Sequence, residues 1–515
     1  MKSMTKIFTL GVILSGLFFY LGKMSQTNNP SVGEGKINTQ NFHSSSNRKF
    51  ASTAAPSSEI IALNNIIFSV SSYEDVKNKA ILLDKMATET IEKIGEDHED
   101  YPAVAMYQSL AQLIPHLEGI LWQLGGIAIQ SEYVYYSIIG ALTDIGYNNF
   151  MYSKPVDHFF EYLVRPNESS KRITKVSELQ DLLMTKFLPL LEKKHLPKFE
   201  KILAKYPGWN EFGFQYDRAL VSGGIDFQSP EAVDESFSSE GDRYATFTRS
   251  YLASAMGYAK NSMALMYLFC SYDLDDVSNL LNLAFYEAVT KVKLKGLFTD
   301  WIKSRRSNIK LNTHKDYANY LKRYPKFLTL LEDGAWSNSE KRDGQAYKKR
   351  ALDLFNEANS HDLDYITQIH EQAQMPNQDN YIVNATEMIA YPNYSIAHYE
   401  KMGKILAGAQ VITDSATGKS VVLDIPKLFD SSLNKDLKTY FANGFDYQER
   451  KNFLTKVDKK DTFIYTYGRP NAWPDPTFNG LLPEANNSNL REMYRRLMYN
   501  NDVSTVASLI FTYIL

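Results

Sequence analysis

The run His370-Glu371-Gln372-Ala373-Gln374 stops one residue short of a helical zinc site. Two histidines four apart on a helix share a face and can reach one tetrahedral ion, with the intervening glutamate as base. Gln374 stands where the second histidine is required, and an amide ligates zinc poorly, so an exposed polar helix face is expected and no metal. Gly418-Lys419-Ser420 carries the last three letters of a phosphate-binding loop, which needs a glycine five residues earlier and a helix N-terminus after the serine. Thr413 occupies the glycine position and the β-branched run Val421-Val422-Leu423 follows. The segment is therefore expected to be a β-hairpin near 409–425, with Gly418 taking the positive φ of the reversal, and no cofactor.

Acidic clusters and the thiol read as structural. Glu96, Asp97, His98, Glu99 and Asp100 lack the alternating acids, glycine turn and distal glutamate of a calcium loop, so they are expected to be a solvated linker capping a helix at Pro102. Asp273 to Asp276 read as acids at a helix start. Cys270 lies in the apolar run Ser262-to-Tyr272 and is expected to be a small buried hydrophobe; one cysteine excludes an internal disulfide framework and a multi-thiolate zinc site. The chain has no Gly-x-Ser-x-Gly elbow. A carboxylate pair drawn from distant positions has no local signature, so any catalytic residue is unknown at this level.

The stretch 463–484 is the best candidate for contact. Pro470, Pro474 and Pro476 forbid a helix and stiffen a loop, while Tyr465, Tyr467, Arg469, Trp473 and Phe478 supply the aromatic and guanidinium groups typical of binding hot spots. A loop folded back over the C-terminal helices is the competing reading.

The elements that must position these groups are mostly helical. Leu179, Leu182, Leu183, Phe187, Leu190 and Leu191 form one stripe, and Phe199, Ile202 and Leu203 repeat it after Pro197, predicting two helices that end at Tyr206-Pro207-Gly208. Comparable segments fall near 72–94, 101–124, 127–147, 154–164, 243–270, 273–296, 314–331, 340–359, 361–374, 393–408, 433–442, 446–457 and 488–514. The expected class is all-α with one small β-hairpin. The stretch 345–362 resembles the second helix of a tetratricopeptide repeat, and 135–167 has a similar helix, glycine turn and helix. With no regular 34-residue period, the resemblance implies stacked helical hairpins, an irregular α-solenoid; an (α/α) toroid is the alternative.

The N-terminus sets the compartment. Lys2 and Lys6 precede an uncharged stretch from Ile7 to Gly22, the pattern of a secretory signal peptide or signal anchor over 1–23. As a helix it is about 24 Å long, short of a ~30 Å hydrocarbon core but able to span with local thinning. Residues 24–58 are Ser, Asn, Thr, Gly and Pro with little apolar content, a tether whose ends lie roughly 30 Å apart as a coil. The folded body then divides into helical regions 59–222, 223–345 and 346–515, at polar, glycine-containing segments.

The 515 residues carry a net charge of -3; residues 1–58 hold six basic residues and one acid, leaving the body at -8. That gives no footprint for nucleic acid. Together these features lead to an extracytoplasmic, membrane-tethered or secreted helical scaffold that binds another envelope protein or peptide without catalysis, with residues 7–22 contacting the membrane if uncleaved. A glycan-degrading enzyme of (α/α) type is the alternative, its aromatics stacking on sugars.

Overall fold

The computed structural model of the chain describes residues 56–120, 122–124, 171–217, 244–275, 329–375, 385–390, 395–413 and 418–430, with shorter pieces near 158–165, at 326 and within 475–497. The expected leader, and the expected tether up to 55, lie outside these residues, as do the expected helices at 127–147, 273–296, 314–331, 433–442, 446–457 and 488–514 in whole or large part.

The first bundle is α1 (Ser58–Phe68), α2 (Asp75–Ile94) and α3 (Tyr101–Leu113). Ser57 Oγ accepts from Ile60 N at the start of α1, and Pro102 opens α3, where its missing N–H costs no helical bond. Pro115 then tightens the chain into a 3₁₀ turn, Ile114–Leu117. Helices α2 and α3 run antiparallel, tied by Gln108 Nε2 to Thr88 Oγ1 at 2.8 Å and Gln112 Nε2 to Asp84 Oδ1 at 2.7 Å.

The two helices expected on either side of Pro197 are one rod, α4. It runs through Val176–Leu182, a π-turn Leu183–Phe187, Leu188–Leu190, a second π-turn Leu191–His195, and Leu196–Lys205. Within an α-helix a proline loses one hydrogen bond and its ring presses on the carbonyl four residues back. Here the turn before each of Pro189 and Pro197 is widened, so that Leu188 N reaches Leu183 O and Leu196 N reaches Leu191 O, and the helix continues.

The widening has a sequence basis. Residues 183–190 (LMTKFLPL) and 191–198 (LEKKHLPK) share Leu, Lys, Leu and Pro at equivalent places. Two α-turns take about seven residues, and one wide turn adds one more, so an eight-residue unit closes on itself. Equivalent positions accordingly keep one face: Phe187 and His195 are buried, Leu188 and Leu196 are buried, and Lys186 and Lys194 are exposed.

Helices α5 (Arg249–Phe269) and α6 (Gly344–Gln372) pair antiparallel along their lengths and form the centre of the described fold. Small residues permit the approach: Ala253, Gly257 and Ala264 on α5 face a helix bearing Ala351 and Ala358. At Gly257 a Cβ would press on Asp362 Oδ1 and stand 3.2 Å from Ala358 O, so a side chain there requires the Asp362 carboxylate to move. The segment expected as a helix from 243 begins instead as strand β2 (Tyr244–Thr248), and the helices expected at 340–359 and 361–374 are the single α6. Strand β2 pairs antiparallel with β1 (Gly213–Asp217), placing Phe214 over Phe247 at 4.8 Å. Five alternating residues with their partner about 30 positions away give too short a period to compete with the helical pattern that follows.

Beyond α6 come α7 (Ala385–Ile389), α8 (Ile396–Ala407), β3 (Gln410–Thr413), β4 (Ser420–Leu423) and a 3₁₀ turn, Ile425–Phe429. The described residues are thus mostly helical with two small antiparallel strand pairs, one more than expected. Strands β3 and β4 are the hairpin read from the sequence: Thr413 pairs with Ser420, Ile412 and Val421 share the buried face, and Gly418 has φ 66°. Among the described residues no helix is long and apolar enough to cross a membrane.

Candidate functional site

The five residues chosen from the sequence, Tyr465, Tyr467, Arg469, Trp473 and Phe478, lie outside the described residues. The base of their loop is described. Asp475 Oδ1 accepts from Thr477 N at 3.0 Å and Oδ2 from Asn479 N at 2.6 Å, a carboxylate clamp that folds the chain on itself. Asn479 and Gly480 then take φ 68° and 83°, Leu481 O accepts from Asp424 N at 2.9 Å, and Leu481 and Leu482 are fully buried. Asn479 and Leu481 are thereby seated against Lys427 and Asp424, at the end of β4 and the 3₁₀ turn behind it.

The near-miss motifs resolve as local structure. Gln374 Nε2 donates to His370 O at 3.4 Å, within its own helical turn, and Gln372 is buried against Tyr251 Oη. Among the described residues no three potential ligands converge on a metal position. Cys270 is fully buried, its Sγ 3.8 Å from Gln180 O, and burial pushes the thiol well above its ordinary value. Glu96 and Asp97 pair with Lys201 and Lys205 at the end of α4. Asp275 serves the start of α4, its carboxylate accepting from Ser177 N at 2.7 Å and Ser177 Oγ at 3.0 Å; the helix expected to follow Asp273 to Asp276 lies outside the described residues. Asp181 of α4 returns the arrangement to Ser337 N and Oγ at 2.6 and 2.8 Å.

What sequence reading missed is a charged seam where α4, α5 and α6 meet. Lys260 of α5, with only 8% of its side chain exposed, pairs with Glu200 of α4 and, at 2.8 Å, with Glu357 of α6. Glu357 also accepts from Arg350 at 2.8 Å, and Arg350 donates to Glu192 at 2.9 Å. Tyr267 Oη donates to Glu192 at 2.7 Å, and His361 Nε2 lies 3.0 Å from Glu200. One helical stretch along, Arg249 bonds Asp364 and the carbonyls of Leu203 and Tyr206, closing the end of α4. Every carboxylate in this row has a cation or hydroxyl against it, which is what makes burial of the charges tolerable.

The seam had a signal of its own. Arg350, Glu357, His361, Asp364 and Gln368 follow steps of seven, four, three and four along α6, and Glu192 and Glu200 stand one eight-residue unit apart on α4. Polar groups at helical spacing inside an otherwise apolar stripe mark a buried polar face, but only the wide π-turns bring Glu192 and Glu200 into line.

The environments push two carboxyls apart. His361, then Lys260, hold Glu200 down to about 2 despite partial burial. Asp362, seated over Gly257, is pushed up to about 7 by burial, against the pull of His361. Burial opposes ionisation of Glu357 too, yet Lys260 and Arg350 keep it below the ordinary value. Away from the seam, Lys348 of α6 is buried and drops to about 8, offset in part by Asp430. His195 is 2% exposed with neither ring nitrogen hydrogen-bonded, and burial followed by Lys198, Lys194 and His116 lowers it to about 4.

No protein-family profile matches the chain, and neither curated proteins nor solved structures give a match. The functional reading therefore rests on the residues themselves.

Proposed function

We propose that the chain is an extracytoplasmic helical scaffold, held at a membrane by residues 7–22 or released from it, that binds another envelope protein or peptide. Its helical hairpins extend as an irregular α-solenoid, whose stacked elements offer long concave faces. The observation that carries the reading is the Asp475 clamp: it folds the segment directly after the aromatic and arginine-bearing stretch, which Leu481 O then joins to Asp424 N behind β4, and a rigid base beside such a stretch is how helical frames present contacts. The charged seam supports it from within, since its pairs lock three helices into one frame. A photo-reactive amino acid placed in turn at Tyr465, Tyr467, Arg469, Trp473 and Phe478 of the full chain tests it in cells. The expected result is crosslinking from several of these positions to one and the same envelope protein; no adduct from any position contradicts the reading.

A second reading has one specific observation in its favour. Two carboxyls with values driven apart, Glu200 near 2 and Asp362 near 7, have the protonation states that an ionised carboxylate and a general acid need, and on an (α/α) toroid such a pair would cleave glycans. Incubating the full chain with cell-wall glycan decides between them: release of reducing ends that is lost in both Glu200→Gln and Asp362→Asn favours the enzyme.

A further inference from the structure

The rod α4 is electrically two-sided. Its acids are spoken for by other elements: Asp181 by Ser337, Glu192 by Arg350 and Tyr267, Glu200 by Lys260 and His361, while Glu178 folds back on Thr174 and Lys175. Toward its far end the lysines are spent as well, Lys198 on Gln108 at 2.6 Å, Lys201 on Glu96 and Lys205 on Asp97. Lys186, Lys193 and Lys194 remain. All three are exposed, and among the described residues none has a hydrogen bond or ion pair.

The eight-residue unit makes this a patch rather than three scattered charges. Lys186 and Lys194 are equivalent positions, so they lie on one line about two turns apart, roughly 11 Å along the rod. His116, exposed at the 3₁₀ turn after α3, sits in the same field: besides burial, Lys186 and Lys194 are what lower its proton affinity. These ammonium groups repel one another, Lys186 and Lys194 also acting on the His116 imidazole, and among the described residues no carboxylate is paired with any of the three. An external anion would supply the counter-charge.

We infer that Lys186, Lys193 and Lys194, with His116 beside them, form a docking surface for the phosphate headgroups of an anionic bilayer. The partner is chosen by position, and this choice rests on the tethered reading above: the tether of about 30 Å ends at α1, which packs in the same bundle as α3. Lysines this close to a headgroup layer are attracted over a Debye length, and several together give appreciable binding without insertion.

The test uses the full chain with vesicles of phosphatidylcholine alone or mixed with phosphatidylglycerol, and an amine-acylating reagent read out residue by residue. On anionic vesicles Lys186, Lys193 and Lys194 should react on the order of tenfold more slowly than on neutral ones, and high salt should restore the rate. Lys85, an exposed lysine on α2, is the internal reference and should not change. Charge reversal in K186E/K193E/K194E should abolish the difference between the two vesicles while leaving the thermal transition in place, since all three side chains are exposed. Equal acylation on both vesicles overturns the inference, as does equal protection by inorganic phosphate without vesicles, which would make it a single-ion site. Failure of the tether is separable: the chain then floats free of neutral vesicles, while protection on anionic ones persists.

Discussion

His195 occupies the place in the second eight-residue unit that Phe187 holds in the first, a buried position where an aromatic ring packs and a polar edge has no partner. With a folded value of about 4 against 6.5 when unfolded, the unfolded chain takes up the proton first as pH falls. The contribution is therefore intact above about 6.5 and lost progressively down to 4, amounting to roughly 2–3 kcal/mol at the acid end. His195→Phe should remove that part of the acid slope, seen as a smaller difference between the urea midpoints at pH 7 and pH 4; an unchanged slope would show that the ring is not held neutral. Asp362 works the other way. Its folded value near 7 lies above the ordinary 3.8, so its contribution is complete at low pH and fades as pH rises through 7. Asp362→Asn should accordingly flatten the stability profile between about pH 4 and 7, the interval between the unfolded and folded values, a change that chemical denaturation at those pH values would read directly.

At the scale of elements, the helical class, the hairpin at Gly418, the boundary at Tyr206-Pro207 and the burial of Cys270 were all legible, because each rests on a local pattern or a single conformational demand. The continuity of α4 was not, since a proline reads as a stop unless the widened turn before it is foreseen. Strands β1 and β2 escaped for want of length, and the charged seam escaped because its register depends on those π-turns and on long-range pairing of α5 with α6. The close packing of that pair makes a sharp prediction. Gly257→Ala forces a methyl group onto Asp362 Oδ1 and should cost ~1–3 kcal/mol by thermal unfolding. Adding Asp362→Ala should recover part of the loss, because the obstructing carboxylate is gone; no recovery would place the strain at Ala358 O instead. Lys260→Met leaves Glu200 and Glu357 facing each other without their shared cation, a loss of about 2–3 kcal/mol once the partial exposure of both acids is allowed for.

Taken as a whole molecule, the chain joins a basic N-terminal stretch with an uncharged apolar run and a polar segment to an acidic, mainly helical body, and among the described residues the buried charges where α4, α5 and α6 meet are paired with one another. The segment directly after the proline-rich stretch is held by Asp475, which accepts from Asn479 N, and by the buried Leu481 and Leu482. The proposed role predicts that loop contacts depend on this base. Asp475→Ala removes the bonds to Thr477 N and Asn479 N without touching the aromatic residues upstream. The most direct measurement is in-cell photocrosslinking from Trp473 in the full chain, compared with the same probe in the Asp475→Ala background. A scaffold that presents this loop should give one envelope-protein adduct from Trp473, weakened several-fold when Asp475 is removed while the helical signal of the purified protein stays unchanged. Absence of any protein adduct from Trp473, together with cleavage of cell-wall glycan by the same preparation, would contradict it.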